Sequence, residues 1–202
     1  MRTGWHSRGY LPHIEAGQEP QFLTWRLADS VPKSVLDVWF EELARRPERE
    51  RKRELMRRVG KFLDAGFGSC VLRMPHVARI VQEGLMYYHP DRYVLHSWVV
   101  MPNHVHTLLT PQHGHEVARI MQSLKSYTAK RINEVTGSSG TFWQRDYLDK
   151  LILDREQFER IRLYIEWNPV KAGLCFEPQA WPFSSACEAA REKLAARTRA
   201  GG

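Results

Sequence analysis

The chain has 202 residues, 43% of them hydrophobic, with a formal net charge of +7 and a pI near 9.5. That length suits one domain with embellishments; no apolar run reaches membrane-spanning length, and the amino terminus lacks a signal-peptide pattern. Cys70, Cys175 and Cys187 have neither the density of a disulfide framework nor the spacing of a structural zinc site, so a soluble intracellular protein is expected. Seven Trp, seven Tyr and eight Phe accompany the positive charge, and basic surface with aromatic faces leans towards nucleic acid.

Residues 1–20 read as a loop-like arm, punctuated by Gly4, Gly9, Pro12, Gly17 and Pro20. Residues 21–28 alternate as a strand does, and a helix opens near Ser30 with Leu36, Trp39, Phe40 and Leu43 at helical spacing. Residues 45–58 hold eight basic side chains against Glu48, Glu50 and Glu54; such a run is a solvated helix face, with contact to DNA phosphates as the minor alternative. Residues 75–88 predict a helix that buries Val77, Ile80, Val81, Leu85 and Met86.

Two apolar, β-branched runs come next, 93–101 and 105–109, joined by a Pro102-Asn103 turn, and they predict a hairpin. On its second strand His104 and His106 leave the same face, roughly 7 Å apart along the strand, near enough to converge on one metal ion, while Val105 and Thr107 point the other way. The pair alone does not name a chemistry, and two half-buried, hydrogen-bonded rings would explain it equally well. A metallo-lactamase-type continuation is absent, because Leu108 and Leu109 come after the pair.

Residues 115–133 predict a helix with Val117, Ile120, Met121, Leu124, Tyr127 and Ile132 as its apolar stripe and Lys125, Lys130 and Arg131 on its other side. A Gly137–Gly140 break leads to a strand over 143–153. Asp154, with Gln157 three residues on, caps a helix running to about Trp167, where Pro169 is expected to end it. Asn168 to Gly173 then reads as a new short turn, Asn168 capping and Gly173 closing. From Ala186 the Ala-, Arg- and Glu-rich tail predicts a surface helix that frays. The order of elements fits an α+β, ferredoxin-like (RRM-like) antiparallel sheet with helices on one face, the other being left for the histidines.

On the last predicted helix Tyr164 and Asn168 lie four residues apart and share a face. A phenol with a free pKa near 10 needs a nearby cation to act as a nucleophile, and the amide oxygen of Asn168 could serve as a third metal ligand. Core packing of Tyr164 and helix capping by Asn168 remain open explanations. Tyr127 has Arg131 as its fourth neighbour, which cannot coordinate a cation, and it lies within an apolar stripe. Tyr147 sits beside Asp146 and Asp149, which disfavour a phenolate.

Four motifs occur in order: Met101-Pro102-Asn103-His104-Val105-His106; Phe142-Trp143-Gln144-Arg145; Tyr164-Ile165-Glu166-Trp167-Asn168-Pro169-Val170-Lys171-Ala172-Gly173-Leu174; and Trp181-Pro182-Phe183-Ser184-Ser185. Together they resemble the REP-associated tyrosine transposases, relatives of the bacterial insertion-sequence transposases of the single-tyrosine HUH class. Residues 8–13 and 22–27 resemble the start of one subgroup, so the likeness spans about 5–185.

The resemblance implies an HUH domain over 21–185, between an arm (1–20) and a flexible tail (186–202), binding Mg²⁺ or Mn²⁺. His104 and His106 fall on the metal-binding histidines, Asn168 on the third metal-holding position and Tyr164 on the nucleophile. It also implies single-stranded DNA with REP-type hairpins as partner, a 5′-phosphotyrosine intermediate in DNA transposition or recombination, a monomer or homodimer, and a bacterial cytoplasmic, nucleoid-associated setting. Lys125, Lys130, Arg131, Trp143 and Arg145 are the expected grip on the strand. A water-using metal phosphoesterase and a non-catalytic, domesticated nucleic-acid binder are the alternatives. The charged run 45–58 is the part of the chain not mapped onto the resemblance.

Overall fold

The computed structural model describes residues 4–7, 12–15 and 17–200. Its centre is a four-stranded antiparallel sheet of β3 (Gln21–Arg26), β4 (Tyr93–Val100), β5 (His104–Pro111) and β6 (Leu148–Leu151), in the order β4-β5-β3-β6. Helix α3 (Pro75–Tyr87) connects towards β4, and α4 (Val117–Thr136) connects β5 to β6. This β-α-β-β-α-β order with the first strand inside the sheet is the ferredoxin-like arrangement expected from the sequence.

Period-two alternation decides which side chains face which layer. Leu23, Trp25, Leu27, Val105 and Leu109 join Val81, Leu85, Ile120 and Leu124 in the main core under α3 and α4. Tyr93, Leu95, Trp98 and Val100 belong to the same core, although a uniform strand would send the first two and the last two to opposite faces. A register shift between Leu95 and Ser97 reconciles them, since an extra residue in a strand reverses the facing of the residues after it.

Three further helices cover the other face. Helix α5 (Arg155–Lys171) packs Phe158, Ile161 and Ile165 on Phe22, Val99, Met101 and Leu108. Helices α1 (Lys33–Leu43) and α2 (Glu48–Asp64) form a hairpin whose Leu43, Leu55, Val59 and Leu63 close on Leu148. The α3/α4 pair thus fills one face as expected, while the face anticipated as open carries a roof with the histidines beneath it. The 45–58 run is a solvated face as read: Arg57 and Arg58 pair with Glu54, Arg58 also with Glu42, and the apolar side of α2 points inward.

Several boundaries differ from the sequence reading. The strand expected over 143–153 is confined to Leu148–Leu151, because the carbonyls of Gln144 and Arg145 turn towards Lys125 Nζ, at 2.6 Å each. Helix α5 continues through Pro169. Proline forfeits one hydrogen bond in the last turn, and the end is then closed by Gly173 N to Val170 O and Leu174 N to Pro169 O, both 2.9 Å, with Gly173 at φ +68°. Asn168 is therefore an interior helix residue, and Asp154 caps the other end, accepting from Gln157 N at 2.7 Å. Within the loop-like arm, β1 (Gly4–Ser7) pairs antiparallel with β2 (Pro12–Glu15). In the tail, α6 (Glu188–Ala200) lies along α3, tied by Lys193 to Glu83 at 2.8 Å and by Thr198 to His89 at 2.9 Å. Among the described residues no helix is long and apolar enough to cross a membrane.

Two glycines report on this packing in opposite ways. A Cβ at Gly84 of α3 would stand 3.1 Å from both Leu124 Cδ1 and Thr128 Cγ2 of α4, whereas one at Gly60 of α2 meets nothing within 4 Å. Gly84→Leu should lower stability by about 1–3 kcal/mol, and Gly60→Ala should raise it by about 0.5–1 kcal/mol. Urea unfolding midpoints that move the other way for either variant would contradict the packing described.

Candidate active site

Beneath α5 and beside the C-terminal end of α2, His104 and His106 project from β5 into the covered layer. They are 1% and 3% exposed, and their Nε2 atoms face each other at 3.1 Å. Each ring is held from behind. His104 Nδ1 lies 2.7 Å from Asn103 Oδ1, and Asn103 Nδ2 donates to Phe67 O at 2.9 Å and Leu63 O at 3.2 Å. With its amide hydrogens turned to those carbonyls, Asn103 presents its oxygen to the imidazole, so His104 carries its proton on Nδ1 and leaves Nε2 bare.

His106 Nδ1 lies 2.7 Å from Thr24 Oγ1, which the β3–β5 register sets directly opposite. A hydroxyl can donate or accept, so two tautomers of His106 suit the site. In one, His106 Nε2–H donates to His104. In the other, His106 Nδ1–H donates to Thr24, and two bare Nε2 atoms converge on one point. Burial, followed by the neighbouring His106, holds His104 well below the usual imidazole range, and burial pushes His106 down to about 3. Both rings are neutral at pH 7, the form in which imidazole binds a metal.

Tyr164 of α5 approaches from above. Its ring centroid lies 5.4 Å from that of His106 and 5.9 Å from that of Phe22, the latter edge-on. Burial and then the charge of Asp64 push its hydroxyl up to about 12, against a hydrogen bond with the Asn168 side chain that favours the phenolate. Lys171 Nζ sits 5.3 Å from the same ring centroid. Asn168, one turn on, is 2% exposed, and among the described residues its Oδ1 has no hydrogen-bond partner.

The other tyrosines stand elsewhere. Tyr127 is 54% exposed, not packed in the apolar stripe as expected, because it lies at the rim of the α3/α4 contact, across the sheet from the histidines. Tyr147 joins the main core.

The expected strand-gripping residues lie away from this site. Trp143 is 4% exposed, donates Nε1–H to Thr128 Oγ1 at 2.9 Å and packs edge-on to Trp25, so its faces belong to the core and it offers none to a base. Lys125 ties α4 to the 144–145 carbonyls, and burial lowers it to about 8. Lys130 and Arg131 are exposed on α4, Arg131 pairing with Glu134 at 2.7 Å, and Arg145 is exposed beside a hollow it shares with Lys125. Sequence reasoning passed over Asn103, read as a turn residue, and Thr24, whose partner only the strand register reveals.

Two measurements test these contacts. Below the free-imidazole pKa of about 6.5 the unfolded chain takes up protons that the folded site refuses. In the presence of a chelator, stability should fall as pH drops from there towards 3, and His106→Asn should flatten the slope; an unchanged slope would contradict the buried neutral rings. Asn103→Ala takes a donor from Phe67 O and from Leu63 O, the latter still held by Gly66 N, and frees the His104 tautomer. It should cost about 1–3 kcal/mol and replace a single Nδ1–H imidazole nitrogen signal of His104 with a tautomer mixture in NMR.

Likeness to known proteins centres on the same residues. Residues 84–168 match the family model described as "Transposase IS200 like". Among solved structures, the chain is similar to a REP-associated tyrosine transposase bound to a REP hairpin, with a TM-score of 0.53 and 19% identity over 89% of this chain and 81% of that one. A putative transposase from Deinococcus radiodurans R1 is similar at 17% identity and a TM-score of 0.33, over 83% of this chain and 98% of that one. No curated protein matches. The residues that match the IS200-like transposase family model hold His104, His106, Tyr164 and Asn168, and the chain shares its fold with a REP-associated tyrosine transposase.

Proposed function

We propose that this protein cleaves and rejoins single-stranded DNA in a metal-dependent reaction, with Tyr164 as the nucleophile. The observation that carries the reading is the meeting of a phenol with two buried, neutral imidazoles whose Nε2 atoms face each other at 3.1 Å. Two neutral imidazole nitrogens this close would be able to hold one cation between them, so the pair suits a shared ion. Among the described residues no group of three or more His, Cys, Asp or Glu comes together for a metal. The fitting third donor is the buried, unpartnered Oδ1 of Asn168, a hard oxygen that suits Mg²⁺ or Mn²⁺. When bound, such an ion supplies Lewis-acid polarisation of a phosphate.

The chain's own residues account for the rest. The Tyr164 oxygen attacks the scissile phosphorus, the phenolic proton departs, and the phosphorus bond to the 3′ oxygen breaks to release a 3′-hydroxyl. A 5′-phosphotyrosine holds the other end, and attack by a 3′-hydroxyl reverses the step without any high-energy cofactor. The hydroxyl rests protonated, and the Asn168 hydrogen bond favours charge on its oxygen against burial and the charge of Asp64. Hairpin DNA is the proposed substrate because the similar solved structure is bound to a REP hairpin. Lys130, Arg131 and Arg145 remain exposed for phosphate contact.

Incubation of a labelled hairpin carrying single-stranded flanks with Mn²⁺, and then a denaturing gel, tests the reading. A protein–DNA adduct mapping to Tyr164 is expected. It should be absent in Tyr164→Phe, which should still bind the hairpin, and in His104→Ala. Cleavage with no adduct would instead assign a water-using phosphoesterase. Binding without cleavage, indifferent to both histidines, would assign a non-catalytic binder.

A further inference from the structure

The outer side of Tyr164 opens on a hollow of about 490 Å³ lined by Arg160, Leu163, Tyr164, Trp167 and Lys171. These positions recur every three or four residues and form one stripe along α5, next to the stripe that packs on the sheet. Tyr164 lies at the seam, meeting His106 on the inside and the hollow on the outside. Leu163 and Trp167 are each 45% exposed, and neither joins a core cluster of the described residues. A large indole left half bare beside a nucleophile needs an occupant, since tryptophan is highly buried on average.

Charge decides what kind. The backbone positions of Arg160 and Lys171 bracket the stripe, about 16 Å apart along the helix axis, and Lys171 Nζ reaches back to 5.3 Å from the Tyr164 ring centroid. The contact of Arg160 with Glu156 is an exposed pair at 3.4 Å, weak enough to yield to a stronger anion. An apolar aromatic face between two cations complements a nucleobase carried between phosphates, and base–aromatic stacking tolerates any base because each has a π face.

Resting on the phosphotyrosine reading above, we propose that the Leu163–Trp167 hollow is a subsite for one unpaired nucleobase adjoining the scissile phosphate. The base stacks on Trp167 and the flanking phosphates meet Arg160 and Lys171. Seating that base holds the strand so that the neighbouring phosphorus lies at the Tyr164 hydroxyl, and the enzyme acts on single strands because a paired base is not free to enter. This gives the chain a stacking residue in Trp167, where the tryptophan of the 142–145 motif is committed to the core.

The test is binding in a Tyr164→Phe background, which prevents cleavage, using a fluorescent hairpin with single-stranded flanks and a set of the same hairpins each carrying one abasic nucleotide. Trp167→Ala should weaken binding of the flanked hairpin by about 5- to 150-fold, the range that one base–aromatic stack supplies, and Trp167→Phe should restore most of it. One abasic position should weaken the parent by a similar factor and add nothing to Trp167→Ala. A blunt hairpin should bind parent and variant alike. Unchanged unfolding midpoints confirm that the exposed indole is not needed for folding.

Undiminished binding of the flanked hairpin by Trp167→Ala, or abasic penalties that add to it at every position, would overturn the proposal. A shift from dimer to monomer in sedimentation on Trp167→Ala, with DNA binding intact, would also overturn it and assign the face to a second copy. Adduct formation in the Tyr164-intact protein separates the two readings. An adduct without the non-additivity removes the subsite alone, and non-additivity without an adduct removes the chemistry alone.

Discussion

The register between β3 and β5 is the constraint on which this molecule turns. It sets Thr24 opposite His106 and Arg26 opposite His104, in the same ladder that sends Leu23, Trp25, Val105 and Leu109 into the main core. Alternation ties the two faces together: a one-residue slip would drive the imidazoles under α3 and α4 and lift the aliphatic side chains towards the site. The hydrophobic stabilisation of the fold thereby also enforces the position of the histidines. Burial then does the chemical preparation, because it removes water from two rings that only the neutral state tolerates.

Two separate supports complete the layer around that pair. From one side, the C-terminal end of α2 offers the carbonyl of Leu63, and the residue after its turn, Phe67, offers another, to the amide of Asn103, which in turn orients His104. The α1–α2 hairpin, with its heavily charged outer face, reaches the site through these hydrogen bonds and through the charge of Asp64 at its inner end. From above, α5 lays its apolar stripe on Phe22, Val99 and Leu108 and carries Tyr164 to His106, with Asn168 one turn on from the tyrosine. The groups behind the two rings fix their angle, and for His104 the tautomer, as the proposed metal site would require.

Helix α5 shows how one element can serve two environments. Its inner stripe is core, its outer stripe is an open hollow, and Tyr164 belongs to both. The helix must pass unbroken through Pro169 for this to work. A break at Trp167 would leave Asn168 as a cap with its side chain spent on backbone donors, and no buried amide oxygen would remain one turn from the tyrosine.

By itself the sequence determined the alternation of the strands, the helical stripes, the shared face of His104 and His106 and the Asp154 cap, since each rests on local periodicity or a side chain's bond to its own backbone neighbours. The ferredoxin-like order came from the succession of those elements, and the motifs supplied the resemblance to a transposase family. What only the tertiary structure decided were relations between residues far apart in the chain. Thr24 finds His106 across 82 positions, and Asn103 finds Phe67 across 36. The roof over the histidine face, the loss of Trp143 to the core and the bare indole of Trp167 are of the same kind. An aromatic residue in a sequence carries no mark of whether it will pack or wait for a partner; that depends on which helix lies across it, and the fold alone settles where the helices go.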